Sequence, residues 1–331
     1  MFAHTWELKT RFNMIHADYV EWLKNELVQG QETAFELKNA YDDLSKRYRS
    51  TNISGFSSKA EMVAYIQARF PATYSVVDYI LKNEIYKKES IVSLLDLGAG
   101  PGTATFAALQ HFNLKNVTLI EQTPELLNAA GEVFISNFPN TAFSLACDSV
   151  HKAEFPKTDL VILSYLLTEM SEKQALALYA KSLKSTVQCN LVVLPGTPAA
   201  FSLLLTLRDY AISMGASVLA PCSHMHNCPM LGQKNQWCHF KQRLNRSRTH
   251  QEIKKGSMGY EDEPYCYLLV MPGKTTNAVL KDRVVNTPTK RSAHIYVDTC
   301  AASGTFKTHC VTKKDKLVYK IAKNLTWGDL F

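Results

Sequence analysis

Apolar positions near the start of the chain recur at helical spacing. From Thr5 to Val28, Leu8, Phe12, Ile15, Tyr19 and Trp22 return every three or four residues, which predicts an amphipathic helix stopped by Gly30. Leu37, Tyr41, Leu44 and Tyr48 form the stripe of a second helix. Ser58 with Glu61 predicts a capping box that opens a third helix to Phe70, and Pro71 interrupts it before a fourth from about Thr73 to Lys87. Short apolar runs then alternate with helical stretches. Strands are expected at 91–97, 116–121, 142–147, 159–164 and 189–194, and helices at 102–111, 124–136, 172–184 and 199–214. That order predicts an α/β fold built on a doubly wound parallel sheet. Tyr265 to Met271 reads as one more strand rejoining it, Ala293 to Val297 with Thr305 to Val311 as a hairpin, and Lys316 to Asn324 as a last helix. The chain divides on this reading into an N-terminal helical region (1–88), a Rossmann-like core (89–220), an insertion (221–260) and a core-completing segment with hairpin and helix (261–331).

The first strand runs straight into a glycine loop. Asp96 precedes Gly98, Gly100 and Gly102, and three glycines at alternate positions let the backbone turn tightly and let a ligand approach where any Cβ would intrude. A dinucleotide loop places its third glycine where Thr103 stands, so the pattern looks more like motif I of the class I methyltransferases that use S-adenosylmethionine. Glu121 ends the next strand about twenty residues on, where a carboxylate accepts ribose hydroxyls. Asp148 follows the third strand, at the position expected to read the adenine edge.

Composition narrows the class. A chain of 331 residues, 46% hydrophobic, is long enough for a large core, and disorder is not indicated. The start lacks an apolar signal core, Glu7 and Asp18 are unlike a transit peptide, and the longest apolar run, Pro198 to Leu207, is too short to span a bilayer. These features predict a soluble intracellular protein with no membrane partner, monomeric away from any larger assembly. The bacterial cytoplasm is the first expectation and the mitochondrial matrix the second. Eight cysteines without a secretion signal suggest reduced thiols or metal ligands.

Three of those cysteines, Cys222, Cys228 and Cys238, fall in the insertion with His224, His226 and His239. Soft ligands clustered in a loop with little core of its own point to a metal. The spacing is not that of a zinc ribbon; zinc held by the three cysteines and one histidine is one reading, and packed cysteines with no metal another. Six Lys or Arg between Lys241 and Lys255 face the single acid Glu252 and supply most of a net charge of +7. Lys241, Arg243, Arg246 and Arg248 are candidates for an RNA backbone, against the plainer reading of a solvated helix face.

Several strings occur in an order that resembles one family, the mitochondrial and bacterial small-ribosomal-subunit methyltransferase-like assembly factors. They include Ala68-Arg-Phe-Pro71-Ala-Thr-Tyr74, Leu95-Asp-Leu-Gly-Ala-Gly-Pro-Gly102, Pro195-Gly-Thr-Pro198, Ala220-Pro-Cys222, Cys228-Pro229, Trp237-Cys-His-Phe240, Gly259-Tyr-Glu-Asp-Glu263 and Trp327-Gly-Asp-Leu330. The resemblance implies a protein that binds the maturing small subunit and its 16S-type rRNA and carries a [4Fe-4S] cluster. Cys222, Cys228 and Cys238 match three family cysteines, and the fourth matches Cys300 in Val297-Asp-Thr-Cys300, with Cys310 as its rival. Ser223 to Asn227 departs from the family's Asp-Gly-containing stretch. No catalytic residue is assigned: the fourth strand ends in Leu163-Ser164-Tyr165-Leu166 rather than the tetrad of amine methyltransferases, and Cys189 begins a strand instead of ending one. An rRNA methyltransferase, an S-adenosylmethionine-binding assembly factor and a zinc-stabilised RNA-binding module are therefore all carried forward, the second ahead.

Overall fold

The computed structural model describes residues 19, 33–49, 55–86, 88–231, 236–254, 256–273 and 281–331. The helix expected over 5–28 lies outside the described residues apart from Tyr19. The chain separates into two compact units, residues 1–169 with 242–263, and residues 170–241 with 264–331.

In the first unit, α1 (Ala34–Arg49) and α2 (Lys59–Glu84) precede the first strand. Pro71 does not break α2. One helix of 26 residues passes through it, against the expectation of two. The missing N–H costs a helix about 3 kcal/mol, but Ile66, Phe70, Val76, Val77 and Ile80 lie on one buried stripe that continues across the proline, and burying each large apolar side chain returns about 1.5–3 kcal/mol. The capping box is half formed. Ser58 Oγ accepts from Glu61 N at 3.2 Å, while the Glu61 carboxylate turns to Arg47 on α1, which donates to both its oxygens at 2.6 and 2.5 Å. That pairing holds the Glu61 carboxyl down at about 2.

The sheet of this unit is parallel, as its apolar runs predict. β1 (Ser93–Leu97), α3 (Thr103–His111), β2 (Asn116–Glu121), α4 (Pro124–Asn137), β3 (Ala142–Cys147) and β4 (Thr158–Ser164) give the strand order β3-β2-β1-β4. β1, between two neighbours, is almost wholly buried, whereas β3 at the edge is not. Tyr19 is fully buried. Its ring stacks on Phe70, Phe106 and Phe134, and its hydroxyl donates to Pro101 O at 2.9 Å.

The second unit departs from the parallel expectation. α5 (Glu172–Ser185) leads into β5 (Thr186–Pro195), and α6 (Pro198–Ser213) into β6 (Ser217–Ala220). Cys189 therefore lies inside β5 instead of opening it. The basic run, whose residues 242–255 belong to the first unit, is not one helix either: β7 (Phe240–Asn245) and the short α7 (Arg248–Ile253) precede β8 (Tyr260–Met271), which enters the second unit at Pro264. β8 pairs antiparallel with β5 on one side and β6 on the other. Such pairing needs no crossover helix, so a strand arriving from a long insertion can enter beside β5. The fold is thus α/β with mixed strand directions. A second, four-stranded sheet of β9 (Arg283–Val284), β10 (Thr289–Lys290), β11 (His294–Cys300) and β12 (Phe306–Thr312) contains the expected hairpin, and α8 (Lys316–Asn324) has the expected bounds. α8 lays Val318, Tyr319 and Ala322 on Val284, Ile295, Val297 and Val311. No helix among the described residues is long and apolar enough to cross a membrane.

Gly102 tests the packing of the first unit. It adopts φ +72, and an added Cβ would lie 2.5 Å from Phe134 Cε2. Gly102→Ala is expected to lower unfolding stability by roughly 2–5 kcal/mol from backbone strain and overpacking together, read as a fall in the urea midpoint at unchanged m-value.

Candidate functional site

All three loop glycines sit in the left-handed region, at φ +67, +53 and +72 for Gly98, Gly100 and Gly102. Two backbone N–H groups, of Gly98 and Ala99, donate to the single carbonyl of Ile120 at the end of β2, at 2.9 and 3.1 Å. Gly100 N donates to Glu121 Oε2 and Thr123 N to Glu121 Oε1, both at 2.8 Å, so the acid predicted to hold ribose also fastens the loop. A Cβ on Gly98 would lie 2.8 Å from Leu166 Cδ1, but one on Gly100 would meet nothing within 4 Å. The loop backbone is therefore open to a ligand at Gly100 and closed at Gly98 and Gly102.

Asp96 is buried at 1% exposure and works inward: its Oδ2 accepts from Thr105 N at 3.1 Å and Thr105 Oγ1 at 2.7 Å, tying β1 to the first turn of α3. Burial raises its carboxyl to about 6, partly offset by those two bonds. Asp96, Gly98 and Gly100 line a cavity of about 380 Å³. Asp148 does not; it is exposed, with Oδ1 accepting from Ser149 N at 2.7 Å.

Sequence reasoning left out the α2 wall of this cavity. Tyr65, Arg69 and Thr73 line it beside Ser164 and Tyr165, which the sequence places at the end of the fourth strand. Arg69 pairs with Glu263 at 3.0 Å and lies 5.3 Å from the centre of the Tyr165 ring. Burial and then Glu169 push the Tyr65 hydroxyl up to about 12. Tyr165 has φ +57, a strained backbone for a bulky side chain, and Ser164 Oγ is buried with no partner among the described residues. The available signal was the string around Arg69, which carried a resemblance but no role.

The second unit brings the four candidate cysteines together. Cys222, Cys228, Cys238 and Cys300 all line one cavity of about 480 Å³, otherwise walled by apolar groups such as Phe201, Leu204, Met230 and Phe240. Burial raises the Cys238 thiol well above its usual value, and Cys222, Cys228 and Cys300 add to the shift. Burial likewise pushes Cys300 to about 12. Cys310 is exposed and absent from the lining. His224 Nε2 lies 3.2 Å from Cys300 Sγ. Among the described residues no group of three or more Cys, His, Asp or Glu could hold a single metal ion.

Arg208, unremarked in the sequence, is 3% exposed and lines the same cavity. Its NH2 donates to the carbonyls of His224 at 3.1 Å and His226 at 2.7 Å, while its Nε is buried with no partner among the described residues. Its NH1 donates to the Asp209 carboxylate at 3.0 Å, so the guanidinium charge is already paired and Nε is the donor left over. Arg283 supports the cavity from outside, donating to Pro221 O at 2.9 Å and Gly328 O at 2.7 Å.

The basic candidates are mostly matched by acids. Arg243 makes a two-pronged pair with Asp262 at 2.7 and 2.8 Å over the Tyr260 ring, Arg246 meets Glu261 at 3.2 Å, and Arg248 meets Glu252 at 3.0 Å. Arg248 is nevertheless 93% exposed. Lys241 Nζ lies 5.2 Å from the centre of the Trp327 ring.

Residues 59–331 match the family described as Rsm22, mitochondrial small ribosomal subunit. The chain belongs to the Rsm22 family. Among Rsm22-related proteins, the mitochondrial Rsm22-cox11 tandem protein 2 of Schizosaccharomyces pombe is 26% identical over 390 aligned positions, covering 98% of this chain and 50% of that protein. The mitochondrial ribosome assembly protein RSM22 of Saccharomyces cerevisiae is 23% identical over 177 positions, 34% of this chain and 28% of that one. The chain thus spans about half the length, or less, of these curated relatives. Solved structures of similar fold include a putative RNA methyltransferase from Pyrococcus horikoshii, 14% identical over 70% of this chain and 99% of that one, with a TM-score of 0.42. Magnesium protoporphyrin IX methyltransferase from Synechocystis with bound S-adenosylmethionine is 10% identical over 74% and 99%, also at 0.42. The expectation of a bacterial cytoplasm is overturned: the family description and these relatives' names are mitochondrial.

Asp96 yields a pH prediction. Its folded value of about 6 exceeds the ordinary 3.8, so the folded state binds its proton more tightly. Stability should fall as pH rises from about 4 to about 6, by about 3 kcal/mol, and level off above. Asp96→Asn keeps an oxygen for Thr105 and should remove this component of the slope in urea midpoints measured across that range.

Proposed function

We propose that this Rsm22-family chain is a mitochondrial small-ribosomal-subunit assembly factor that binds S-adenosylmethionine in the first unit and a [4Fe-4S] cluster in the second, and contacts small-subunit rRNA. The observation that carries the reading is that cysteines as far apart in sequence as Cys222 and Cys300 line one apolar cavity with the buried Arg208. Cys222, Cys228, Cys238 and Cys300 would hold the cluster, which supplies an anionic inorganic centre that cross-links the loop to the hairpin. The raised thiols at Cys238 and Cys300 release their protons only when a metal centre replaces them. Arg208 offsets the negative charge.

In the first unit, the open backbone at Gly100 and the carboxylate of Glu121 suit the adenosine moiety of S-adenosylmethionine, with Asp96 bracing the loop from behind. Asp148 would reach adenine from its exposed loop. The fourth strand's Leu163-Ser164-Tyr165-Leu166 ending, which lacks the amine-methyltransferase tetrad, supports an assembly role ahead of methyl transfer. For RNA, Lys241 and Arg248 offer charge most directly, with Arg243 and Arg246 exchanging their acid partners for phosphate.

Anaerobic purification tests the cluster: brown protein with about four iron and four sulfide per chain is expected, lost in Cys238→Ser. Colourless protein with stoichiometric zinc would overturn it. Gly98→Arg, driven into Leu166, should abolish S-adenosylmethionine binding by calorimetry yet still rescue subunit assembly in a deletion strain; an rRNA methyl mark restored by wild type but not by Gly98→Arg would establish catalysis instead.

A further inference from the structure

The side chains on the run from Trp237 into β7 fall into two sets. Cys238 and Phe240 line the cysteine cavity, and Trp237, His239 and Lys241 belong to the other set. The Trp237 and His239 rings stack with centroids 4.9 Å apart and planes 20° from parallel, and His239 meets Trp327 edge-on at 4.6 Å. Trp237 Nε1 donates to Gly196 O at 3.0 Å, and His239 Nδ1 lies 3.1 Å from Trp237 O, so both rings are fixed in place. Lys241 adds a cation 5.2 Å from the Trp327 ring.

This cluster is unlike the aromatic core of the same unit. Tyr265 and Tyr267 are 1% and 2% exposed, whereas Trp237, His239 and Trp327 all keep part of their surface in solvent. Trp327 Nε1 itself is buried with no acceptor among the described residues, although a tryptophan placed only for packing usually finds one. Fixed, partly exposed rings with an adjoining ammonium are what an unstacked nucleobase and its phosphate recognise.

We infer that Trp237, His239, Trp327 and Lys241 form a platform on which an unpaired base of single-stranded RNA stacks, with Cys238 anchoring it from the reverse face. This rests on the RNA-binding reading above and names the form of RNA bound. The rings supply sequence-tolerant stacking and Lys241 supplies the phosphate contact. Because Cys238 sits between two of the rings, whatever it ligates also holds the platform in shape.

The test uses the full chain with single-stranded oligouridylate and oligoadenylate and a duplex RNA of equal length. Single strands should quench tryptophan emission and bind more tightly than the duplex. Trp327→Leu should weaken single-strand binding about tenfold or more while leaving duplex binding unchanged, and Trp327→Phe should recover most of the loss. Lys241→Ala should lower the salt slope by about one. His239→Ala reads the same stacking loss if Trp327→Leu does not fold. Ring-deleted variants with wild-type iron content and melting temperature that bind single strands as the wild type does would overturn the platform alone. Failure of the wild type to bind any of the three RNAs would overturn the RNA-binding reading with it.

Discussion

The second unit depends on two buried guanidinium groups that replace regular secondary structure as the fastening of its loops. Arg283 reaches the carbonyls of Pro221 and Gly328, and its backbone pairs with Cys300 in the β9–β11 ladder. One residue therefore fixes the chain beside Cys222, beside Trp327 and at Cys300. Arg208 does the same for the carbonyls of His224 and His226. Burying a charge costs several kcal/mol unless its donors are used, and the Nε of Arg208 is buried with no partner among the described residues.

The first unit is held by backbone conformation. Gly98, Gly100 and Gly102 take left-handed torsions, which allows the loop to hang from Ile120 O and Glu121 and leaves its outer surface bare. The helices before the sheet complete that arrangement. α2 contributes Tyr65 and Arg69 to the cavity, and Tyr19 stacks behind the loop on Phe106 and Phe134. The N-terminal helical region thus forms one wall of the glycine-loop cavity.

Each unit thus carries its own chemistry. The first offers a cavity over a glycine loop whose backbone is open at Gly100, and the second a cavity lined by four cysteines. Cys238 and its neighbours show how closely the two surfaces adjoin: Cys238 and Phe240 line the cysteine cavity, while the rings of Trp237 and His239 stack on each other and His239 meets Trp327. In the first unit, the acids of the Gly259 to Glu263 string neutralise Arg243, Arg246 and Lys254 where a bare basic strip was expected.

Much of this protein was determined locally. Periodicity located β1 to β4 and the helices between them, and the terminal helix at Lys316–Asn324, because a strand or helix that buries one face must repeat its apolar residues at that element's period. The glycine loop was legible because left-handed backbone selects its residue type. Pro71 misled, since local propensity says nothing of the buried stripe that carries a helix through it, and the antiparallel entry of β8 left no trace in its own run of residues. Only the tertiary structure decided that Cys300 rather than Cys310 joins Cys222, Cys228 and Cys238, that Arg208 lies among them, and that Arg69 faces the glycine loop. Contacts between residues far apart in the chain are set by how whole elements pack, and no spacing within a single element records them.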